Sequence, residues 1–210
     1  MKILSIAFTA LALMASISMA VEDLPKQLEP GAVSSLYVFK AIVTARDNYR
    51  EMGFKSPAEL DRMALGVPIK VYQVRLDRLQ GYRSEMAPEG LFEDNEQYLY
   101  PVVVDAQTRS SLTMSMVQGN WQAVSYGSPR LVQMIDEARS AISSGTDVSI
   151  PSMFLIEIPA LNTHLIGYKT GTTTMAAPLM PNGSRISPRP AADVLMDLVP
   201  MAKAHDGLPR

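Results

Sequence analysis

The clearest pattern of apolar and polar positions lies between Tyr98 and Ile142, and it predicts three β-strands followed by an amphipathic helix. Pro101–Asp105 is a short β-branched run that suits a buried strand. Next, Leu112, Met114 and Met116 alternate with Thr113 and Ser115, so a pleated strand sends thioethers one way and hydroxyls the other. Gln118-Gly119-Asn120 then supplies residues that tolerate the positive φ of a hairpin. A three-residue loop there pairs Leu112 with Tyr126 and Met114 with Val124 on one apolar face. A two-residue loop at Gly119-Asn120 instead sets Ser125 against Met114, so the longer loop is expected. Gly127-Ser128-Pro129 predicts a turn into a helix capped by Ser128, with Pro129 at the first position, where its missing N–H is harmless. Leu131, Ile135, Ala138 and Ile142 make that helix's apolar stripe, and Arg130, Gln133, Asp136, Glu137 and Arg139 its polar side.

The same reading extends in both directions. Val21–Gly31, with Pro25 and Pro30, predicts an extended lead-in, and Ser34–Met52 a helix along Val38, Ile42, Ala45, Tyr49 and Met52 that stops at Gly53. Ser56-Pro57-Ala58-Glu59 has the form of a capping box opening a short helix. Val67–Leu76 predicts a strand with Val67, Ile69, Val71 and Gln73 on one side and Lys70, Tyr72 and Val74 on the other. Ser84–Gln97, acidic and weakly patterned, predicts an exposed loop. After a linker at Ser143–Asp147, Met153–Ile158, His164–Lys169 and Thr172–Leu179 predict strands, with a turn at Asn162-Thr163. Pro181–Pro190 predicts a loop, and Ala191–Ala204 a helix kinked or ended by Pro200. The fold class expected is α+β, an antiparallel sheet of meanders and hairpins packed by amphipathic helices. The order of elements in 98–142 and 153–204 also suggests a duplicated strand-strand-strand-helix unit, with sub-units at 32–142 and 150–204 of one domain.

Met1–Ala20 has the outline of a secretory signal peptide: Lys2, an apolar run from Ile3 to about Met14, and small residues Ser18 and Ala20 before a cut that leaves Val21 first. One domain over 21–210 then remains. That apolar run is shorter than the roughly 20 residues that span a bilayer, so no stable membrane insertion is expected after cleavage. Without Lys2 the 19 Lys and Arg fall by one, against 21 Asp and Glu. A small negative charge offers nothing to phosphate, and nucleic acid is not an expected partner. No cysteine is present, which excludes disulfides, thiolate catalysis and thiolate metal sites. Signal and cysteine-free chain together predict a periplasmic or secreted protein of the bacterial envelope.

Against that background each chemical motif is incomplete. Lys169-Thr170-Gly171 resembles the K-T-G strand of serine-type penicillin-binding proteins and β-lactamases, a likeness confined to three residues. Their nucleophilic Ser with Lys three residues on is missing: Ser35, for one, has Val38 there. Met114 and Met116 share a strand face and thioethers suit Cu(I), yet neither His164 nor the terminal His205 is spaced to join them, and core packing explains both. Glu93-Asp94-Asn95-Glu96 lacks the ligand alternation and central Gly of a calcium loop. Trp121 with Tyr98, Tyr100 and Tyr126 reads as cross-strand core pairs before it reads as a platform for sugars or peptides.

No catalytic, cofactor-binding or metal residue is therefore assigned and no cofactor is expected. The reading is a periplasmic or secreted binding protein for another protein or for a small apolar or peptide ligand. An envelope hydrolase with dispersed acidic residues is the alternative, with Asp105 at a strand end and Glu157 within Phe154–Ile158 as its suspects. Alternation accounts for Glu157, since Phe154, Ile156 and Ile158 share the opposite face. A third reading is an inhibitor or propeptide-like module presenting a strand edge to its partner.

Overall fold

The computed structural model describes residues 20–180 and 186–205, with only the helical backbone over 20–27. The expected signal segment before Ala20 and the start of the 181–190 loop lie outside the described residues. Among the described residues nine strands form one mostly antiparallel sheet packed by helices, an α+β fold. The strands are β1 (Ala64–Leu65), β2 (Ile69–Gln73), β3 (Glu93–Val104), β4 (Gln107–Val117), β5 (Asn120–Gly127), β6 (Phe154–Ile158), β7 (Thr163–Thr170), β8 (Thr173–Pro178) and β9 (Arg189–Pro190). They lie in the order β5-β4-β3-β2-β6-β7-β8-β9, with β1 beside β3. Among the described strands only the β2–β6 pair at the centre is parallel. The helices are α1 (Ala20–Arg46), α2 (Leu76–Gln80), α3 (Pro129–Gly145) and α4 (Ala191–Ala204).

The period-2 burial of the strands divides the core by face. Ile69, Val71, Leu99, Leu155, Ile166 and Ala177 point to one side, where Val132, Ile135, Ala138 and Ile142 of α3 lie across the middle of the sheet. The other side carries two helices. The residues Leu28, Ala32, Phe39 and Val43 of α1 cover Tyr98, Tyr100, Leu112 and Met114, while Val194, Leu195, Val199 and Ala202 of α4 cover Ile156, Ile158, Leu165 and Ala176. The runs β3-β4-β5 and β6-β7-β8 therefore extend outward in opposite directions and are followed by helices on opposite faces.

The β4–β5 hairpin departs from the expected loop. Its turn has two residues, Gln118 and Gly119, both at positive φ (51° and 79°). Leu112 pairs with Tyr126 as expected, yet Met114 faces Ala123, because a bulge makes Val124 an extra residue. Without the bulge Leu112 would face Ser125; the extra residue brings Tyr126 onto the apolar face that Trp121 and Ala123 already share. Likewise Ser128 precedes α3 in the left-handed region (φ 62°, ψ 48°) and makes no side-chain cap. At Ser56 there is no side-chain cap either: the segment Pro57–Arg62 is a 3-10 turn, and Glu59 accepts the Lys55 N–H at 2.7 Å instead.

Several further expectations are corrected. The lead-in 21–31 is helical through Pro25 and Pro30, and the helix stops at Arg46 rather than Met52. Burial of Leu28 and Ala32 against the sheet outweighs the proline cost. Ser84–Gln97 is not simply a loop: Pro88–Leu91 forms a 3-10 turn and β3 starts at Glu93. Pro200 does not end the closing helix: it lies inside α4, one of the two outcomes expected for it being thereby excluded. Arg139, expected on the polar side of its helix, is 3% exposed and donates to the carbonyls of Val67 (3.1 Å) and Ile150 (2.9 Å). Burial pushes its guanidinium pKa down to about 10. Pro101 explains why β1 and β2 are separate. It can donate nothing to the ladder, and the break between the two strands falls beside it, with Gly66 N–H donating to its carbonyl at 2.7 Å.

Candidate functional site

The face shared by α1 and α4 has a central strip where the two helices' cores meet: Tyr98 belongs to the α1 side, Phe92 and Phe154 pack against the α4 side, and Lys70 and Tyr72 lie between them. One line of register partners crosses the whole sheet there: Ala123, Met114, Tyr98, Lys70, Phe154, Gly167, Ala176 and Arg189. Toward one end Met114 lies beneath α1 and Ala123 is small; toward the other, Gly167 and Ala176 are small and Arg189 is exposed on the edge strand. At its centre a lysine stands between two aromatic rings.

Strand alternation puts Lys70 on this face, and burial leaves its side chain only 17% exposed. Its Nζ lies 2.5 Å from Asp94 Oδ1, 4.7 Å from the Tyr98 ring centre and 5.8 Å from that of Tyr72. A partly desolvated ammonium held over ring faces gains about 0.5–2 kcal/mol. Burial, aided by the Asp94 charge, raises the Tyr72 pKa and carries that of Tyr98 to about 12, so both hydroxyls stay protonated donors at neutral pH. Beside Lys70, Tyr72, Phe92 and Phe154 meet as a three-ring cluster: Phe154 lies edge-on to Tyr72 (5.4 Å, 85°), and Phe92 is tilted against both at 6.1 Å. The Phe154 ring rests on Gly167, where a Cβ would stand 2.4 Å from its Cε2. Only glycine allows that seat. Toward α1 the strip continues through Trp121, edge-on to Tyr98 at 5.8 Å.

The expected aromatic group is thus split. Tyr98 and Trp121 meet on the strip, whereas Tyr100 is buried in the core and Tyr126 stacks on Phe39 beneath α1 at 5.2 Å. Sequence reading missed Lys70, Tyr72, Phe92 and Phe154, although a glycine inside the apolar strand Leu165–Tyr168 signals a close approach.

A second polar group occupies the end of the α3 face. Gln73, Glu157 and His164 are register partners across β2, β6 and β7, and Asn95 Nδ2 donates to Gln73 Oε1 at 2.8 Å. The nearest Glu157 oxygen is 3.8 Å from His164 Nε2, too long for a hydrogen bond. Burial raises the Glu157 pKa and lowers that of His164, so desolvation outweighs any mutual attraction.

The remaining candidates have structural roles. Asp105 and Ala106, at φ 50° and 62°, make the two-residue β3–β4 turn, and Asp105 pairs with Arg62 at 3.4 Å. Lys169-Thr170-Gly171 is the exposed end of β7 and its turn into β8, with Gly171 at φ 58°. Met114 is fully buried under α1. Among the described residues no three His, Asp or Glu gather as a metal site, and no helix is long and apolar enough to cross a membrane. Comparison of the chain with protein-family models, curated proteins and solved structures finds no match.

Proposed function

We propose that this chain is an exported envelope protein, released by cleavage after Ala20, that binds a peptide or protein segment by its apolar side chains. The observation behind this reading is the half-buried strip of Lys70, Tyr72, Phe92, Tyr98 and Phe154 between two helices. The rings meet at 35° to 85° rather than presenting one flat plane, which favours insertion of an apolar side chain over the stacking of a sugar. The backbone N–H and C=O groups of the central strands are engaged in the ladder, so recognition falls to side chains. Tyr hydroxyls and the Lys70–Asp94 pair supply orientation.

The test is binding of the mature chain to an array of extended peptides and of oligosaccharides, read by the fluorescence of Trp121, its single tryptophan. Peptides sharing an aromatic or branched apolar residue should be selected, and Tyr72→Ser should weaken them about tenfold or more, some 1.4 kcal/mol. Equal binding by Tyr72→Ser, or selection of sugars alone, overturns the reading.

The Glu157–His164 opposition supports a second reading, a hydrolase in which the pair handles a water proton. Screening with Glu157→Gln as control decides it: hydrolysis that survives that change does not arise from the pair.

A further inference from the structure

A cavity of about 360 Å³ lies between α1 and the 57–65 segment and shares no residue with the aromatic strip. Its volume falls within the roughly 300–1,000 Å³ of small-molecule sites. Both of its walls are held in place by the fold itself. On one side Glu29, Val33, Leu36 and Lys40 recur at i, i+4, i+7 and i+11, so one flank of α1 faces the cavity while Leu28, Ala32, Phe39 and Val43 fix the helix to the sheet. On the other side Leu60, Met63 and Leu65 are anchored twice. Glu59 pairs with Arg109 of β4 at 3.1 Å, both side chains largely buried, and β1 pairs with β3.

The lining is apolar along its middle and charged at its ends. Val33 and Tyr37, one helical turn apart, are 40% and 72% exposed, and among the described residues the Tyr37 side chain has neither a hydrogen bond nor a ring contact. A ring left so bare adds little to the fold, and beside an apolar cavity it is placed to cover an occupant. At one end Lys40 Nζ meets Asp61 Oδ1 at 2.5 Å, and the two charges answer each other. Glu29 stands at the other end, roughly 16 Å away along the helix at 1.5 Å per residue. Its carboxylate has no cationic partner among the described residues. The cavity therefore keeps one unanswered charge, and that charge is negative.

We propose that this cavity binds an amphipathic organic cation, an apolar chain ending in a protonated amine. The chain lies against Val33, Leu36, Leu60 and Met63 beneath the Tyr37 ring, and the amine donates to the Glu29 carboxylate in a charge-assisted hydrogen bond. An anionic head fits neither end. At one it meets Glu29, and at the other it has to displace Asp61 from Lys40. An uncharged head gains the apolar contacts alone. The inference stands apart from the peptide-binding strip, whose Lys70 ammonium is already answered by Asp94.

Calorimetric titration of the mature chain with octylammonium, octanol and octanoate, which share a chain and differ in head charge, tests the proposal. Octylammonium should bind with a dissociation constant below about 1 mM, and octanoate at least about tenfold more weakly. Glu29→Gln should bring octylammonium down to the level of octanol, and added salt should narrow the same gap. Tyr37→Ala should weaken octylammonium and octanol by a similar factor. Both positions are exposed, so circular dichroism should stay unchanged in either variant. Equal binding of octylammonium and octanoate, no binding of octylammonium at about 5 mM, or binding indifferent to Glu29→Gln overturns the proposal. Octylammonium binding that is lost in Tyr72→Ser and kept in Tyr37→Ala would also overturn it, by placing the amine on the aromatic strip.

Discussion

The two faces of the sheet solve one problem differently. Across its centre, the α3 face is dry: one helix spans the strands, and Ile69, Val71, Leu155, Ile166, Val132 and Ile135 interlock beneath it. The opposite face has two helices standing over its two halves, and the strip between them holds Lys70 and a cluster of rings. A centrally placed helix buries the middle of a sheet. Two flanking helices leave the middle half-covered, so those positions can carry polar and aromatic groups without the desolvation cost a core imposes.

The sharpest break in that contrast is Ile135→Ala. The side chain is fully buried under α3, and the cavity left behind should cost about 2–5 kcal/mol in urea unfolding. A loss below about 1 kcal/mol would mean that the α3 face is not the tighter core. Across the sheet, Gly167→Ala tests overpacking. The new Cβ collides with Phe154, and about 1–3 kcal/mol should be lost. Adding Phe154→Leu should recover part of it, a coupling that a double-mutant cycle measures directly.

The smallest effect concerns the open end of the α3 face. The folded Glu157 pKa lies above its ordinary 4.5, so the fold favours the neutral carboxyl and loses stability as pH rises past that value. Wild type should therefore be less stable than Glu157→Gln at pH 8, with the difference gone below 4.5. His164 acts in the other sense. Its folded pKa lies below 6.5, so the stability its neutral ring supports is complete above 6.5 and declines as the solution is acidified. Replacement by Gln should flatten that acid-side decline. Urea midpoints at pH 4, 6 and 8 check both signs, and a pH profile unchanged by either substitution would show the pair to be solvated.

The amino-acid sequence by itself determined the elements whose side chains repeat with a clear period: the β4 alternation, the α3 stripe, the faces of β2 and β6, and the closing helix. These follow from local geometry, in which a pleat or a helical turn exposes one side of each element to the core. It also foretold the pairing of Leu112 with Tyr126, although it assigned the surplus residue to the loop instead of to a bulge at Val124. Both arrangements keep the apolar face, and periodicity alone does not choose between them.

Only the tertiary structure decided the rest. Helix through Pro25 and Pro30 arises because Leu28 and Ala32 find the sheet, and Arg139 turns inward because two backbone carbonyls await it. The candidate strip lies beyond any local reading for the same reason. Lys70, Phe92, Tyr98 and Phe154 become neighbours through pairing between β2, β3 and the distant β6. The separations involved, more than 80 residues from Lys70 to Phe154, leave no trace in sequence spacing. The physical reason is that periodicity records which way a side chain points, whereas a site depends on which strands lie side by side, and that is fixed by the packing of the whole sheet.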